Sequence, residues 1–141
     1  KWPNDLLINK KKICGILIES EVNGDAVEFI VGIGINYSLP KKESWWGEIG
    51  ELADILPREK LINSILQSII HYSENGYMDW KDAWEKRCMH MGIELEAVSN
   101  NQKNIELGIF NGINEEGKML LQTKNELKVI SSGECSIKGI Y

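Results

Sequence analysis

Hydrophobic and polar positions change rhythm twice along this chain. Between residues 5 and 36 apolar side chains come in short β-branched runs or alternate; between 57 and 91 they recur at steps of three and four; beyond 93 short alternating stretches return. Asp5-Leu6-Leu7-Ile8-Asn9 reads as a short strand, Asn9 to Lys12 as a break, and Ile13 to Val22 as a longer strand, so a hairpin is implied. Asn23-Gly24 supplies a tight turn that tolerates positive φ, and Ala26 to Asn36 places Val27, Phe29, Val31, Ile33 and Ile35 at period two. Three adjacent antiparallel strands follow.

The stretch Leu39 to Leu56 has no period and reads as a long loop with one helical turn. Its adjacent Trp45 and Trp46 cannot both face one core. After Pro57, Leu61, Ile62, Ile65, Leu66, Ile69 and Ile70 repeat at helical spacing until Asn75-Gly76 ends the run. A second helix over Met78 to Met91 sets Trp80, Trp84, Cys88 and Met91 on one stripe, expected to face the first helix and to end at Gly92. Five strands follow, at 93–98, 105–113, 118–123, 126–130 and 134–137, punctuated by Asn100-Asn101, Asn114 to Gly117, Asn125 and Ser132-Gly133. The class is α+β, with a domain boundary near Gly92: residues 1–92 hold three strands and two helices, and 93–141 form a small barrel. A unit that small is marginal unless it leans on a neighbour.

Composition narrows the function classes. A formal charge of -5, with Lys10-Lys11-Lys12 as the one basic run, argues against a duplex nucleic-acid surface, which needs clustered cations to release counterions. No apolar stretch approaches the roughly 20 residues of a bilayer span, and no signal peptide is recognisable, so a soluble cytoplasmic protein is expected. Cys14, Cys88 and Cys135 have neither zinc-site pairing nor the density of a disulfide scaffold, and are expected as reduced, mostly buried thiols. His71 and His90 are too far apart in sequence to share a helix face as metal ligands.

Two motifs carry the chemistry. Lys1-Trp2-Pro3-Asn4-Asp5, followed by Lys12-Ile13-Cys14-Gly15-Ile16-Leu17 and by a strand ending Gly32-Ile33-Gly34-Ile35-Asn36, resembles biotin protein ligases. That resemblance implies part of a catalytic sheet of the class II synthetase type, with helices on one face, then a small barrel like the Src-homology-3 domain. It also implies an activity: biotin and ATP, with Mg²⁺, give biotinyl-5′-AMP and pyrophosphate, and the biotinyl group passes to a lysine of a carboxylase carrier domain. No bound prosthetic group is expected. The carrier domain is the expected partner, a homodimer is compatible, and no nucleic acid or membrane is called for.

Lys12 matches the family lysine that reaches the biotin carboxylate and the phosphate. A carboxylate approaching an α-phosphate is a meeting of anions, and a cation about 4 Å away contributes on the order of 4 kcal/mol at an effective dielectric near 20. A solvated turn is the ordinary reading of three consecutive lysines; the paired motif singles out Lys12. Asp5 has the chemistry to hold a lysine, a water or Mg²⁺ near the phosphates, and could equally cap a turn. Asn4 and Asn36 resemble asparagines beside adenine, where an amide both donates and accepts. Pro3 restricts Trp2 to extended backbone, and Trp2 itself is expected to pack. Gly15, Gly32 and Gly34 would let a backbone approach a ligand, or else mark a bulge or strand crossing. Gly32-Ile33-Gly34 lacks the third glycine and following helix of a dinucleotide fingerprint.

The family also carries a glycine- and arginine-rich loop before the first motif. Here that motif stands at residue 1 without an initiator Met, so the sequence is expected to be part of a larger ligase, with weak or no activity alone. Two alternatives stay open: a non-catalytic module that holds a carrier domain or a second copy, and a relative of the lipoate ligases, which have a comparable lysine.

Overall fold

The computed structural model describes residues 1–40, 43–51, 56–100, 104–133 and 135–138. They form two compact units: Asn4–Gly76, and a second that gathers Lys1–Pro3 with the chain from Tyr77 onward. By packing, the second unit thus takes in residues 77–92, ahead of the expected boundary near Gly92. Trp80, Trp84 and Cys88 explain the difference, since all three pack against the core of the terminal unit.

In the first unit β1 (Asp5–Ile8), β2 (Lys11–Asn23) and β3 (Ala26–Ile35) form an antiparallel sheet in that order. The expected break at Asn9 to Lys12 contracts to Asn9 and Lys10, both at positive φ, which leaves Lys11 and Lys12 inside β2. Gly24, at φ 61, turns the second hairpin. Ile16, Ile18 and Val22 share one face with their partners Ile33, Val31 and Val27, while Gly15, Leu17 and Glu19 share the other with Gly34, Gly32 and Ile30. The first face is apolar and the second is flattened by glycine.

A 3-10 turn, Ile49–Glu51, is the helical turn expected in the loop. Pro57 precedes helix α1 (Arg58–Asn75), and Gly76 closes it by donating its N–H to Tyr72 O at 2.9 Å. The helix buries none of its residues; Ile62, Leu66, Ile69 and Ile70 are exposed. The helix layer expected over one sheet face is therefore not closed among the described residues.

The terminal unit holds α2 (Trp80–Glu85) and strands β4 (Glu94–Ser99), β5 (Ile105–Ile113), β6 (Met119–Gln122), β7 (Leu127–Ile130) and β8 (Cys135–Lys138). Helix α2 is shorter than the expected Met78 to Met91. Beyond Glu85 the backbone tightens: Arg87 N–H donates to Trp84 O and Cys88 N–H to Glu85 O, both i to i−3, and the chain turns His90 into the core. The strand order is β7-β6-β5-β4-β8, antiparallel throughout. Leu95, Ala97, Phe110, Ile113, Met119 and Leu121 project inward with Trp2, whose Nε1 donates to Gly117 O at 3.1 Å. Trp2 packs as expected, and its peptide bond to Pro3 is cis.

The small closed barrel expected here is an open sheet among the described residues. Strand β7 pairs with β6 and β8 with β4, and a cleft of about 400 Å³ is lined from both ends of the sheet by Ala97, Leu127, Val129 and Cys135. Glu134, the first residue of the last expected strand, lies outside the described residues, as do Asn101 and 41–42 and 52–55 of the long loop. No disulfide joins Cys14, Cys88 and Cys135. No helix among the described residues is long and apolar enough to cross a membrane.

Candidate functional site

Of the residues singled out from sequence, Asp5, Lys12 and Gly15 meet on the glycine face at the start of β2. Asp5 pairs with Gly15 and Leu6 with Cys14, but Leu7 then pairs with Lys12, so Ile13 is an extra residue in β2. Such a bulge re-aims the residues beyond it. By strict alternation Lys12 would share the face of Cys14; the bulge moves it to the face of Asp5 and Gly15. There Lys12 Nζ lies 2.6 Å from Asp5 Oδ1, with the lysine side chain 31% exposed and the aspartate 11%. The carboxylate is sheltered and the ammonium remains open to an incoming anion.

Gly15 makes room for this pair. A Cβ built on it would lie 3.2 Å from Lys12 Nζ and 3.7 Å from Asp5 Oδ1. Gly34 and Gly32 follow on the same face in an unbroken ladder with Gly15 and Leu17, which rules out a bulge as their reason. Nor does the fold crowd them, since the nearest atom to a Cβ at either position is a strand neighbour 3.7 Å or more away. What the glycines leave is a flat strip of backbone beside a lysine.

Lys12 is also fastened through its own backbone. Strand β3 stops opposite Cys14, and past its end the loop takes over: Lys12 N–H donates to Trp45 O at 3.0 Å and Gly47 N–H donates to Lys12 O at 2.9 Å. Asn36 ties this parallel bridge together, donating from Nδ2 to Lys12 O at 3.1 Å and to Gly47 O at 3.0 Å. Trp45 and Trp46 meet edge to face, with Trp45 exposed and Trp46 half-buried. Asn4 prolongs the β1–β2 ladder: its O accepts from Ile16 N–H at 2.9 Å and its Nδ2 donates to Ile16 O at 2.6 Å. The amide donors of both asparagines thus fasten backbone.

Asp5, expected to hold a lysine, a water or Mg²⁺, holds Lys12. Among the described residues no group of three carboxylate, histidine or cysteine side chains gathers, so Asp5 stands without a second or third carboxylate or imidazole around it. Burial pushes the Cys14 thiol above its ordinary range, against the pull of Lys12 and with a small push from Asp5. It faces away from Lys12 and is protonated at neutral pH, which suits packing rather than nucleophilic attack.

Residues 1–36 match the model of the biotin/lipoate A/B protein ligase family, and residues 91–138 match the biotin protein ligase C terminal domain. The chain belongs to the biotin protein ligase family. It is 33% identical over 97% of its length to the bifunctional ligase/repressor BirA of Bacillus spizizenii, of which the match covers 45%. With the biotin--[acetyl-CoA-carboxylase] ligase of Paracoccus denitrificans the identity is 28%, over 99% of this chain and 62% of that one. The fold matches the apo biotin protein ligase of Aquifex aeolicus with a TM-score of 0.77 at 26% identity, covering 97% of this chain and 63% of that one; the same ligase in complex with biotin and ATP gives 0.76 at 26% identity, covering 97% and 60%. The chain thus spans about half the length of the BirA relatives it matches.

Asn4, Asp5, Lys12, Gly15 and Asn36 all fall within the stretch 1–36 that matches the ligase family. Gly47, which sequence reasoning passed over, does not. Its one visible signal was a glycine directly after two tryptophans in a loop without period.

Proposed function

We propose that this chain contributes part of the active site of a biotin protein ligase. In the reaction, a carboxylate oxygen of biotin attacks the α-phosphorus of ATP, the bond to pyrophosphate breaks, and biotinyl-5′-AMP forms. The ε-amine of a carrier-domain lysine then attacks the acyl carbon, the bond to AMP breaks, and the amine loses a proton. The observation that carries this reading is the Lys12–Asp5 pair, set beside the glycine strip of β2 and β3 within the residues that match the family.

Each residue then has a physical task. Lys12 compensates the charge of carboxylate and phosphate as they converge, and the low exposure of Asp5 keeps the ammonium aimed before substrate arrives. Gly15 leaves the space in which Lys12 swings from Asp5 toward an anion. Asn4 and Asn36 present amide oxygens toward the adenine amino group, and Mg²⁺ travels with the ATP phosphates rather than in a protein cage. The five-stranded sheet of the terminal unit is the small Src-homology-3-like domain of such ligases in an opened form, and 1–92 and 93–141 are its catalytic and terminal parts. A carboxylase carrier domain in the cytoplasm is the acceptor.

The test is biotin-dependent exchange of labelled pyrophosphate into ATP by the protein that carries this chain, with lipoate as the competing acid. Exchange with biotin and not lipoate is expected, and Lys12→Ala is expected to lower it about a hundredfold, more than Asn4→Ala does. No exchange with either acid sinks the assignment, and an unchanged Lys12→Ala variant removes the lysine's role.

A further inference from the structure

We propose that Asn36 and Gly47 are positioning residues for Lys12, acting through its backbone; the inference rests on the ligase reading for its catalytic meaning but not for its geometry. Three observations converge. The bulge at Ile13 shifts Lys12 in its pairing with β1, and on the other side β3 has ended opposite Cys14, so Lys12 has no partner in β3. The segment Trp45–Gly47 replaces the missing strand with one bond to Lys12 N–H and one to Lys12 O. The two hydrogens of a single amide, Asn36 Nδ2, then bridge Lys12 O and Gly47 O, so the loop is locked to the strand where the lysine leaves it.

Gly47 is required by space. It is buried, and a Cβ on it would stand 3.0 Å from Lys11 Cβ and 3.2 Å from Ile13 Cγ2, the residues on either side of Lys12. A side chain there makes the loop or its neighbours on β2 give by a few tenths of an ångström, which bears directly on the two backbone bonds to Lys12. Asn36 cannot be replaced by aspartate either, because a carboxylate facing two carbonyl oxygens repels both and donates to neither. The consequence for chemistry is leverage: displacing a charge-bearing side chain by about 1 Å costs on the order of a hundredfold in rate.

The experiment reads the lysine head directly. In the chain labelled with nitrogen-15 lysine, the Lys12 ammonium signal is assigned by its loss in Lys12→Arg, and Asp5→Asn supplies the position and exchange rate of the same ammonium without its partner. Asn36→Asp and Gly47→Ala are expected to move the Lys12 signal more than half-way to the Asp5→Asn position, with the signals of Lys86, Lys118 and Lys128 unmoved. A Lys12 signal that stays at its wild-type position in either folded variant overturns the proposal. Should Asn36→Asp collapse all lysine signals by unfolding, Gly47→Ala, which adds one methyl group, decides by the same criterion. Ligase activity does not enter the readout, so loss of the functional assignment in the pyrophosphate assay and loss of this inference remain separate results.

Discussion

His90 makes the terminal unit sensitive to acid, by an amount that follows from where its ring lies. The imidazole is fully buried, 5.3 Å from the Phe110 ring, and neither nitrogen has a hydrogen-bond partner among the described residues. Burial, the largest cause, lowers its pKa from 6.5 to about 4, and the nearby Lys1 side chain pushes the same way. In the unfolded chain the ring binds a proton near its ordinary pKa, so between those two values the unfolded state holds more protons than the folded one. Stability is complete above 6.5, is lost as pH falls through that window, and levels off once the folded ring protonates near 4. The full loss is about 3 kcal/mol, at roughly 1.36 kcal/mol for each pKa unit, and about 2 kcal/mol of it has gone by pH 5. For a unit of this size that is a large share of the total.

Urea unfolding followed by tryptophan fluorescence measures this, since Trp2, Trp80 and Trp84 belong to the same core. Carboxylates titrate in the same range, so the quantity that matters is the difference between wild type and His90→Phe, which removes the titrating group and keeps an aromatic ring. Wild type should lose about 2 kcal/mol more than the variant between pH 7.5 and pH 5. Parallel curves for the two proteins would refute the reasoning, because they would mean that the ring protonates without unfolding its surroundings.

Two substitutions separate function from stability. Gly15→Ala brings a methyl group to 3.2 Å from Lys12 Nζ and 3.3 Å from Lys12 Cε, the movable end of a flexible side chain; stability should change by less than about 1 kcal/mol while pyrophosphate exchange falls at least about tenfold. Gly108→Ala places its methyl group 2.7 Å from Gln122 O, which is backbone and cannot swing aside, so it should cost about 2–3 kcal/mol in urea unfolding, with an unchanged midpoint counting against this account.

How much of this was legible in the sequence depends on how local each signal is. Period two in Val27 to Ile35 and the apolar repeat from Leu61 to Ile70 found β3 and α1 within a residue or so, because strand and helix periodicity are properties of a short stretch. The motif likeness found Lys12 and Asp5, and the fold does bring them together. What could not be read is the means. Pairing Leu7 rather than Ile8 with Lys12 is a choice of register between two strands, and nothing in either strand alone announces the extra residue at Ile13. The bridge from Trp45 and Gly47 to Lys12 is hidden in the same way, since it joins a loop without period to a strand more than thirty residues away. Helix α2 was overestimated because a stripe of Trp80, Trp84 and Cys88 looks the same whether the chain continues as helix or tightens into i to i−3 turns to bury His90.

The two faces of the β2–β3 hairpin lead to a last expectation. Beyond Gly15 no β1 residue pairs with β2, so the outer half of the hairpin is a two-stranded ribbon, and Val22 is 70% and Phe29 66% exposed while Phe110 and Leu121 in the terminal sheet are fully buried. A two-stranded ribbon exposed on both faces is marginal in water, since its hydrogen bonds compete with solvent and its apolar side chains gain little from pairing. Backbone amides from Ser20 to Phe29 should therefore exchange with deuterium within about tenfold of the rate for unstructured chain, while those of Phe110 and Leu121 are slowed by at least about a thousandfold. Exchange is measured across a range of chain concentrations, which separates the ribbon's own stability from protection by a second copy. Protection of the ribbon equal to that of the terminal sheet, even in dilute solution, would show that exposure on both faces does not set its stability.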